Sequence, residues 1–426
     1  MSSPQFASLQ SLAREARELA RSGRTAEATR LWQRVLEADP GNADALLALA
    51  QTALAAHDPR SALALLERGA QLGRANPMIE LCAALAHKEL GDAASETAAV
   101  ARALAIDPYF YPALLHQARM LERQGKPRQA ARVFRDVLKV MPERDRRDPS
   151  LARAVQHAES AVEENMGLLE RHLESALAGT RREHADAVPG RFEHSLQAMV
   201  GRRRIYHPEP VTLHYAELPP IQFYDDALFP WLPELEAATD TIRDELIDVL
   251  AESRAEFRPY VQHPPGAPLA QWAELNQSPR WSTYFLWENG RPVEAHCARC
   301  PRTAAVLSRL PMAELPNFSP TAMFSSLEAR TTIPPHTGET NTRLIVHLPL
   351  IVPADCWFRV GNETREWRYG KAFVFDDTIE HEARNGSDEL RVVLIFDVWN
   401  PFLSVAERVL VGGLVNAVRD FYQAES

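Results

Sequence analysis

The sequence predicts a multidomain α + β protein, in which an α-helical solenoid of repeats precedes an antiparallel jelly roll with flanking helices. Three observations predict this class. Turn residues recur every 34 residues in the first third, prolines and aromatic residues become frequent after Tyr206, and short alternating strands joined by turns follow Pro279. At 426 residues the chain exceeds the size of one hydrophobic core. We therefore expect repeats over residues 7–142, a helical connector over 143–205 and a second domain over 206–426.

The repeat is marked by turn positions in strict register. These positions are 34 residues apart: Gly23, His57, Gly91 and Gly125. A proline closes the second helix of three units: Pro40, Pro108 and Pro142. Such a helix–turn–helix unit resembles the tetratricopeptide repeat, whose units bury their apolar faces only by stacking into a superhelix. A generic helical bundle is the alternative, and the strict register favours the repeat. The resemblance implies that the concave surface binds a peptide or a partner protein.

Two longer helices and a series of strands are predicted after the repeats. Apolar residues at helical spacing predict a capping helix over 151–178 that Gly179 interrupts, and one helix over 232–250. Alternating apolar residues predict strands at 321–327, 343–352, 356–360, 371–375 and 391–398.

Composition excludes several classes of protein. A net charge of −10 and a pI near 5.8 argue against nucleic-acid binding. Neither a signal peptide nor an apolar run of about 18 residues is visible, so we expect no membrane anchor. Four cysteines do not make a disulfide framework, which indicates a reducing cytoplasm. Cys297 and Cys300 beside His296 suggest a zinc or redox site, but a single C-x-x-C is more often a reduced pair.

The candidate metal ligands are His336 and His381, which stand 45 residues apart where predicted strands meet turns. A jelly roll can bring two such strand ends together, and paired imidazoles suit Fe(II), Cu, Ni or Zn. Oxygenases of this fold usually add a carboxylate two residues after the first histidine, where this chain has Gly338. Asp376 or Asp377 could supply a carboxylate instead, or could fix the orientation of the His381 ring.

At this point the sequence resembles the aspartyl/asparaginyl β-hydroxylase family, over residues 206–401. The positions that carry the resemblance are Ser325, 335–344, 347–348, 370–371, 375–377, 380–382, Arg391 and 397–401, with weaker similarity at 229–231, 281–286 and 300–303. The resemblance implies a double-stranded β-helix (cupin-like) dioxygenase that uses Fe(II), 2-oxoglutarate and O₂. Family members hold iron with two histidines and have glycine at the place of the acidic ligand. Animal members also place repeats before the oxygenase domain.

Carried over to this chain, the resemblance assigns His336 and His381 to iron. It assigns Arg391 to a bidentate salt bridge with the distal carboxylate of 2-oxoglutarate, which suits a guanidinium fork. It assigns Ser325 to a hydrogen bond with the same carboxylate, although strand register decides whether this residue or its neighbour points inward. His347 becomes a further polar contact, with a place in the core as its alternative. No catalytic residue beyond these groups is implied.

The substrate is predicted less directly. Members that hydroxylate aspartate or asparagine carry an Arg-x-Arg run, of which this chain keeps Arg343 but has Ile345 at the second place. Arg343 and Trp281 are our candidate substrate contacts. We expect hydroxylation of the β-carbon of an Asp- or Asn-like residue in a protein or peptide recruited by the repeats, with release of succinate and CO₂. The alternatives are a free amino acid or another small molecule as substrate, a zinc or nickel cupin, and a scaffold with a vestigial barrel. A lipid substrate is disfavoured because no membrane anchor is predicted.

Overall fold

The computed structural model describes residues 3–72, 75–184, 190–315 and 317–423. It divides into two compact units, which we call the repeat unit (Met1–Leu196) and the barrel unit (Gln197–Ser426). The boundary falls inside the predicted connector. None of the helices in the described ranges combines the length and apolar character that crossing a bilayer requires.

The repeat unit is entirely helical in its described residues. Its helices are α1 (Ser3–Arg21), α2 (Thr25–Ala38), α3 (Ala43–Ala55), α4 (Pro59–Ala70), α5 (Pro77–Glu89), α6 (Ala93–Ile106), α7 (Tyr111–Arg123), α8 (Pro127–Val140), α9 (Glu143–Arg146) and α10 (Ala152–Glu183), and α11 (Gly190–Met199) crosses the unit boundary. The predicted repeat marks are confirmed as turns, because all four adopt a positive φ of 58–79°. Asn42, Asp58 and Asp92 each cap the following helix by accepting a backbone N–H three residues ahead.

The predicted break at Gly179 is wrong, because α10 continues through it to Glu183. A glycine inside a helix costs about 1 kcal/mol relative to alanine and does not by itself end the helix. The prolines are confirmed as terminators, since Pro40, Pro108 and Pro142 each lie two residues beyond the end of α2, α6 or α8.

In its described residues, the barrel unit contains several helices and eleven strands. Its helices are α12 (Leu232–Ala237), α13 (Thr239–Glu252), α14 (Glu294–Arg299), α15 (Pro301–Leu307) and α16 (Val405–Gln423). Its strands are β1 (Arg258–Pro259), β2 (Trp281–Glu288), β3 (Arg291–Pro292), β4 (Ala322–Leu327), β5 (Thr331–His336), β6 (Arg343–Ile351), β7 (Cys356–Val360), β8 (Glu363–Glu366), β9 (Phe373–Phe375), β10 (His381–Asn385) and β11 (Arg391–Trp399). All five predicted strands are present, each with bounds within two residues of the prediction. The single helix predicted over 232–250 is two helices, because the Thr239 hydroxyl bonds the Glu236 carbonyl at the junction, 2.6 Å away.

The strands form two antiparallel sheets. The larger has the order β1-β2-β4-β11-β6-β9, with β3 paired to β2, and the smaller has the order β5-β10-β7-β8. Successive side chains of a strand face opposite sides of its sheet. One face of the larger sheet packs under α12, α13 and α15 through an apolar cluster that includes Leu246, Phe324 and Leu394. The other face meets the smaller sheet around Val360, Phe375 and Val393. The two sheets therefore enclose an interior, which we call the barrel interior.

Candidate active site

The two candidate ligands meet in the structure as predicted. β5 and β10 are antiparallel neighbours, and their register places His336 directly opposite His381. The ring centroids are 4.1 Å apart. Each ring nitrogen Nδ1 lies beside a carbonyl two residues earlier, at 2.8 Å from Pro334 for His336 and 3.1 Å from Ile379 for His381. A carbonyl only accepts, so each Nδ1 carries the proton and each Nε2 keeps its lone pair for a metal.

Burial keeps both rings in the form that binds metals. It lowers the pKa of His336, and it lowers the pKa of His381 well below the ordinary value, with the neighbouring His336 adding to the effect. A neutral imidazole is the metal-binding form.

The glycine after His336 is explained by a close neighbour. A Cβ at Gly338 would lie 1.9 Å from Oδ2 of Asp377, and the Gly338 N–H donates to the Asp377 carbonyl at 2.6 Å. The Asp377 carboxylate is buried, its Oδ1 finds no hydrogen-bond partner among the described residues, and burial raises its pKa to about 7. No third His, Cys, Asp or Glu of the described ranges joins the two histidines in a three-ligand group. The described protein atoms therefore offer a metal two imidazoles, with a carboxyl group nearby.

Arg391 is a buried cation at the start of β11, with 1% of its surface exposed. Its Nη1 donates to the Ser325 carbonyl at 3.3 Å, and its guanidinium carbon lies 4.6 Å from the centre of the Trp367 ring. Its Nε has no partner, and no carboxylate pairs with it, within the part of the chain that the structure describes. Burial lowers its pKa to about 10. An unpaired buried charge is costly, so Arg391 is a candidate for binding an anion.

Ser325 and Trp281 form the wall beside Arg391. The Trp281 indole donates to the Ser325 hydroxyl at 3.1 Å. Ser326 instead meets Ser282 at 2.9 Å and Arg254 at 3.2 Å, away from that wall. The register of β4 therefore selects Ser325 as the inward residue.

His347 and two aromatic rings connect the arginine to the histidine pair. Trp367 lies against Arg391 and donates through its indole to Nδ1 of His347 at 3.4 Å. The Phe358 ring lies 5.7 Å from Trp367 and 5.8 Å from His381. Burial, with Arg391 adding to it, lowers the pKa of His347 well below the ordinary value, so this side chain is neutral. Arg391 and the pair of His336 and His381 therefore line the same barrel interior.

The sequence analysis did not single out Trp367 and Trp272. Trp367 follows β8, and Trp272, at the end of a short 3-10 helix before β2, lies 5.0 Å from the His336 ring. Neither tryptophan belongs to a motif, and only the fold brings them to the site.

Arg343 has internal partners. Its guanidinium pairs with Asp397, which is buried, and lies 3.4 Å from Glu339. Burial alone would lower the pKa of Arg343, but the carboxylates of Asp397, Asp377 and Glu339 raise it. The second predicted substrate contact, Trp281, lies 6.3 Å from the His336 ring. The structure thus places Trp281 near the histidine pair, whereas Arg343 already forms ion pairs within the protein.

The segment around the C-x-x-C pair has ordinary contacts. Nδ1 of His296 lies 2.6 Å from the Phe285 carbonyl, and its Nε2 lies 3.2 Å from Glu256. Cys297 and Cys300 are free thiols.

The barrel unit has the double-stranded β-helix fold, and comparison with known proteins places the chain among hydroxylases. The sequence profile of the family described as Aspartyl/Asparaginyl beta-hydroxylase matches residues 236–401, and that of the Tetratricopeptide repeat matches residues 19–85. This chain belongs to the aspartyl/asparaginyl β-hydroxylase family and carries tetratricopeptide repeats before the family's domain.

Two named relatives and one solved structure each match part of the chain. An ornithine lipid ester-linked acyl 2-hydroxylase of Rhizobium tropici is 38% identical over 206 residues, which are 47% of this chain and 68% of that protein. The aspartyl/asparaginyl beta-hydroxylase of Mus musculus is 34% identical over 182 residues, 41% of this chain but only 22% of the mouse protein. A thermophilic tetratricopeptide-repeat protein of Thermus thermophilus aligns with a TM-score of 0.33 and 19% identity, over 42% of this chain and 98% of its own.

Proposed function

We propose that the barrel unit is an Fe(II)- and 2-oxoglutarate-dependent dioxygenase that hydroxylates a C–H bond and releases succinate and CO₂. The observation that carries the proposal is the guanidinium of Arg391. It is buried, it has no carboxylate partner in the described ranges, and it shares an interior with two imidazoles whose Nε2 atoms are free to ligate.

The residues present fit the metal. His336 and His381 would hold it through Nε2, since both Nδ1 atoms already bond backbone carbonyls. Gly338 leaves room for the Asp377 carboxyl group beside them, where it can orient a water or the cosubstrate. When bound, iron would activate O₂, which is the oxidant and takes two electrons from 2-oxoglutarate as it loses CO₂ and two from the substrate C–H bond. The residues of the protein position the substrate and exclude bulk water.

The residues also fit the cosubstrate. 2-Oxoglutarate carries a second carboxylate, which Arg391 would bind through two parallel N–H donors. The Ser325 hydroxyl already accepts from Trp281 and keeps its own proton to donate to the same carboxylate. His347 is neutral and its Nδ1 accepts from Trp367, so it adds no charge that would compete with Arg391.

The leading substrate remains an Asp- or Asn-like residue of a protein or peptide, recruited in part by the repeats. A second candidate, a neutral or acyl-chain substrate, is favoured by a specific observation. Arg343 is already paired with Asp397, and Ile345, which occupies the place of the family's second arginine, packs with Ile395 against the barrel interior. The relative named as an ornithine lipid ester-linked acyl 2-hydroxylase supports the same candidate. Location in the cytoplasm remains a prediction.

Anaerobic titration tests the cofactors. Adding Fe(II) and then 2-oxoglutarate should produce the visible charge-transfer absorption of the chelate, and His381→Ala should abolish it. Metal binding without affinity for 2-oxoglutarate would favour a zinc or nickel cupin. No formation of succinate under O₂, with or without substrate, would favour the scaffold and refute our proposal.

Mass spectrometry tests the substrate. Peptide pools and lipid extracts are incubated separately, and a gain of one oxygen is sought in each. Ile345→Arg provides the matched variant, because it places a second cation two residues after Arg343, where the family's Arg-x-Arg run has one. If acidic residues are poor substrates for lack of that cation, the variant should oxidise acidic peptides faster and acyl chains more slowly than the wild type.

A further inference from the structure

The C-terminal helix α16 presents an apolar face to solvent. From residue 405 to 418 every exposed residue is apolar or glycine, and the most exposed side chains are Val405 at 76%, Val409 at 71% and Leu410 at 69%. Its first charged residues are instead engaged by the barrel unit, where Glu407 accepts from Tyr215 and Arg408 lies over Trp399. A surface helix normally has the reverse arrangement, with polar residues outward.

The face is large enough to be an interface. The exposed apolar side chains of α16, with Phe421 and Tyr422 each about two-thirds exposed, offer on the order of 800 Å² in all, similar to one partner's share of a standard protein interface, and the exposed Asp420 lies among them. The largest apolar patch of an ordinary monomer is about 300–600 Å². A lipid surface fits poorly, because the helix has no lysine and balances two acidic residues against two arginines in a chain of net charge −10.

A glycine on this face indicates close approach by another backbone. A Cβ at Gly413 would meet no atom of the described residues within 4 Å, so the isolated subunit would accept alanine there. Alanine stabilises a helix interior more than glycine does, so helix stability does not explain why position 413 is glycine. Glycine is the residue that lets a second backbone come close.

We propose that α16 pairs antiparallel with α16 of a second copy of this chain, about a two-fold axis between Gly413 and Leu414. This axis lies at the centre of the helix, which spans Val405–Gln423. It sets small residues opposite large ones: Gly413 opposite Leu414, Ala417 opposite Leu410, and Ala406 opposite Phe421. A face that complements itself in this way is what a two-fold interface requires.

Sedimentation velocity of the full chain over a concentration series tests the pairing. The wild type should be a dimer. Val409→Asp, which places a charge in the interface, and Gly413→Leu, which sets two leucines against each other, should each raise the dimer Kd at least about tenfold. Val211→Asp is the matched control, because Val211 is equally exposed at 71% but lies outside α16, and its dimer Kd should be unchanged.

A folding check accompanies the association data. Gly413→Leu should unfold at the same temperature as the wild type or higher when both are diluted to monomers, because leucine favours the helix more than glycine does. A wild-type chain that stays monomeric throughout the series would overturn the proposal, as would a dimer that tolerates both variants. A monomer that sediments with phosphatidylcholine vesicles, and loses this binding in Val409→Asp, would assign the face to lipid and also overturn it.

Discussion

Replacing Arg391 by methionine tests whether this arginine serves ligand binding or the stability of the fold. Burial lowers its pKa to about 10, which corresponds to roughly 3 kcal/mol against the charged side chain in the folded state. The variant also loses the hydrogen bond to the Ser325 carbonyl, worth about 1 kcal/mol, and the contact with Trp367, worth about 1–2 kcal/mol. These effects nearly cancel. Arg391→Met should therefore match the wild type within about 1 kcal/mol when 2-oxoglutarate is absent.

The assay is denaturant unfolding of the metal-loaded protein under nitrogen, with and without 2-oxoglutarate. At a ligand concentration of about one hundred times Kd, the wild type should gain about 2.7 kcal/mol in free energy of unfolding, and Arg391→Met should gain none. Arg384→Met is the control, because Arg384 is an exposed arginine on β10, and it should keep the full gain.

Two results would refute this reasoning. If Arg391→Met lost more than about 3 kcal/mol without 2-oxoglutarate, the guanidinium would be a structural element of the barrel. If the variant kept the stabilisation by 2-oxoglutarate, the cosubstrate carboxylate would bind elsewhere.

Three further predictions concern other parts of the molecule. Gly338→Ala should lower both stability and metal affinity because its Cβ would collide with Asp377, and adding Asp377→Ala should restore the stability in a double-mutant unfolding cycle. Arg343→Leu should lower the free energy of unfolding by about 3–5 kcal/mol, because it strands the buried Asp397, whereas a small loss of stability with a large change in KM would mark a substrate contact. Burial lowers the pKa of His116, so the repeat unit should lose stability as the pH falls below about 6.5, where the unfolded chain takes up the proton first, and His116→Gln should flatten this dependence in thermal unfolding.

The repeats were predictable because their signal is local. Each turn needs a positive φ, and glycine meets that need at three of the four marks, so the period is visible in the sequence. The fourth mark, His57, adopts the same conformation at 58° and was found only through the spacing. Gly179 misled the prediction because a helix interior tolerates one glycine when the rest of the turn is favourable.

The position of a site residue was predictable only where the sequence near that residue determines it. His336 and His381 were recognised from their motifs, since β5 and β10, which carry them, were not among the predicted strands, whereas the inward position of Arg391 follows from alternation along β11. Trp367 and Trp272 reach the interior through loops whose course depends on packing between the sheets. No periodicity or motif predicts such contacts.

The ion pair between Arg343 and Asp397 could not be predicted from the sequence either. The place of Arg343 in an Arg-x-Arg run predicted a substrate contact, but Asp397 lies 54 positions further along the chain, on β11, where the pairing of Trp399 with Arg343 brings the two strands together. Pairing between strands of such separation is set by the whole sheet, and a single sequence does not reveal it.

Several features of the barrel interior lower the stability of the folded state, and binding of a metal and an anion would explain them together. Among the residues that the structure describes, the Arg391 guanidinium has no carboxylate partner and one Asp377 oxygen has no hydrogen-bond partner, and two imidazoles lie side by side in the neutral form. Each of these would be selected against in a core that served folding alone, because a buried polar group without a partner costs about 1–3 kcal/mol. A metal would use the imidazoles, and an anion would neutralise Arg391. A vestigial barrel, free of that requirement, would be expected to have replaced Arg391 first, since an apolar residue there costs the fold little.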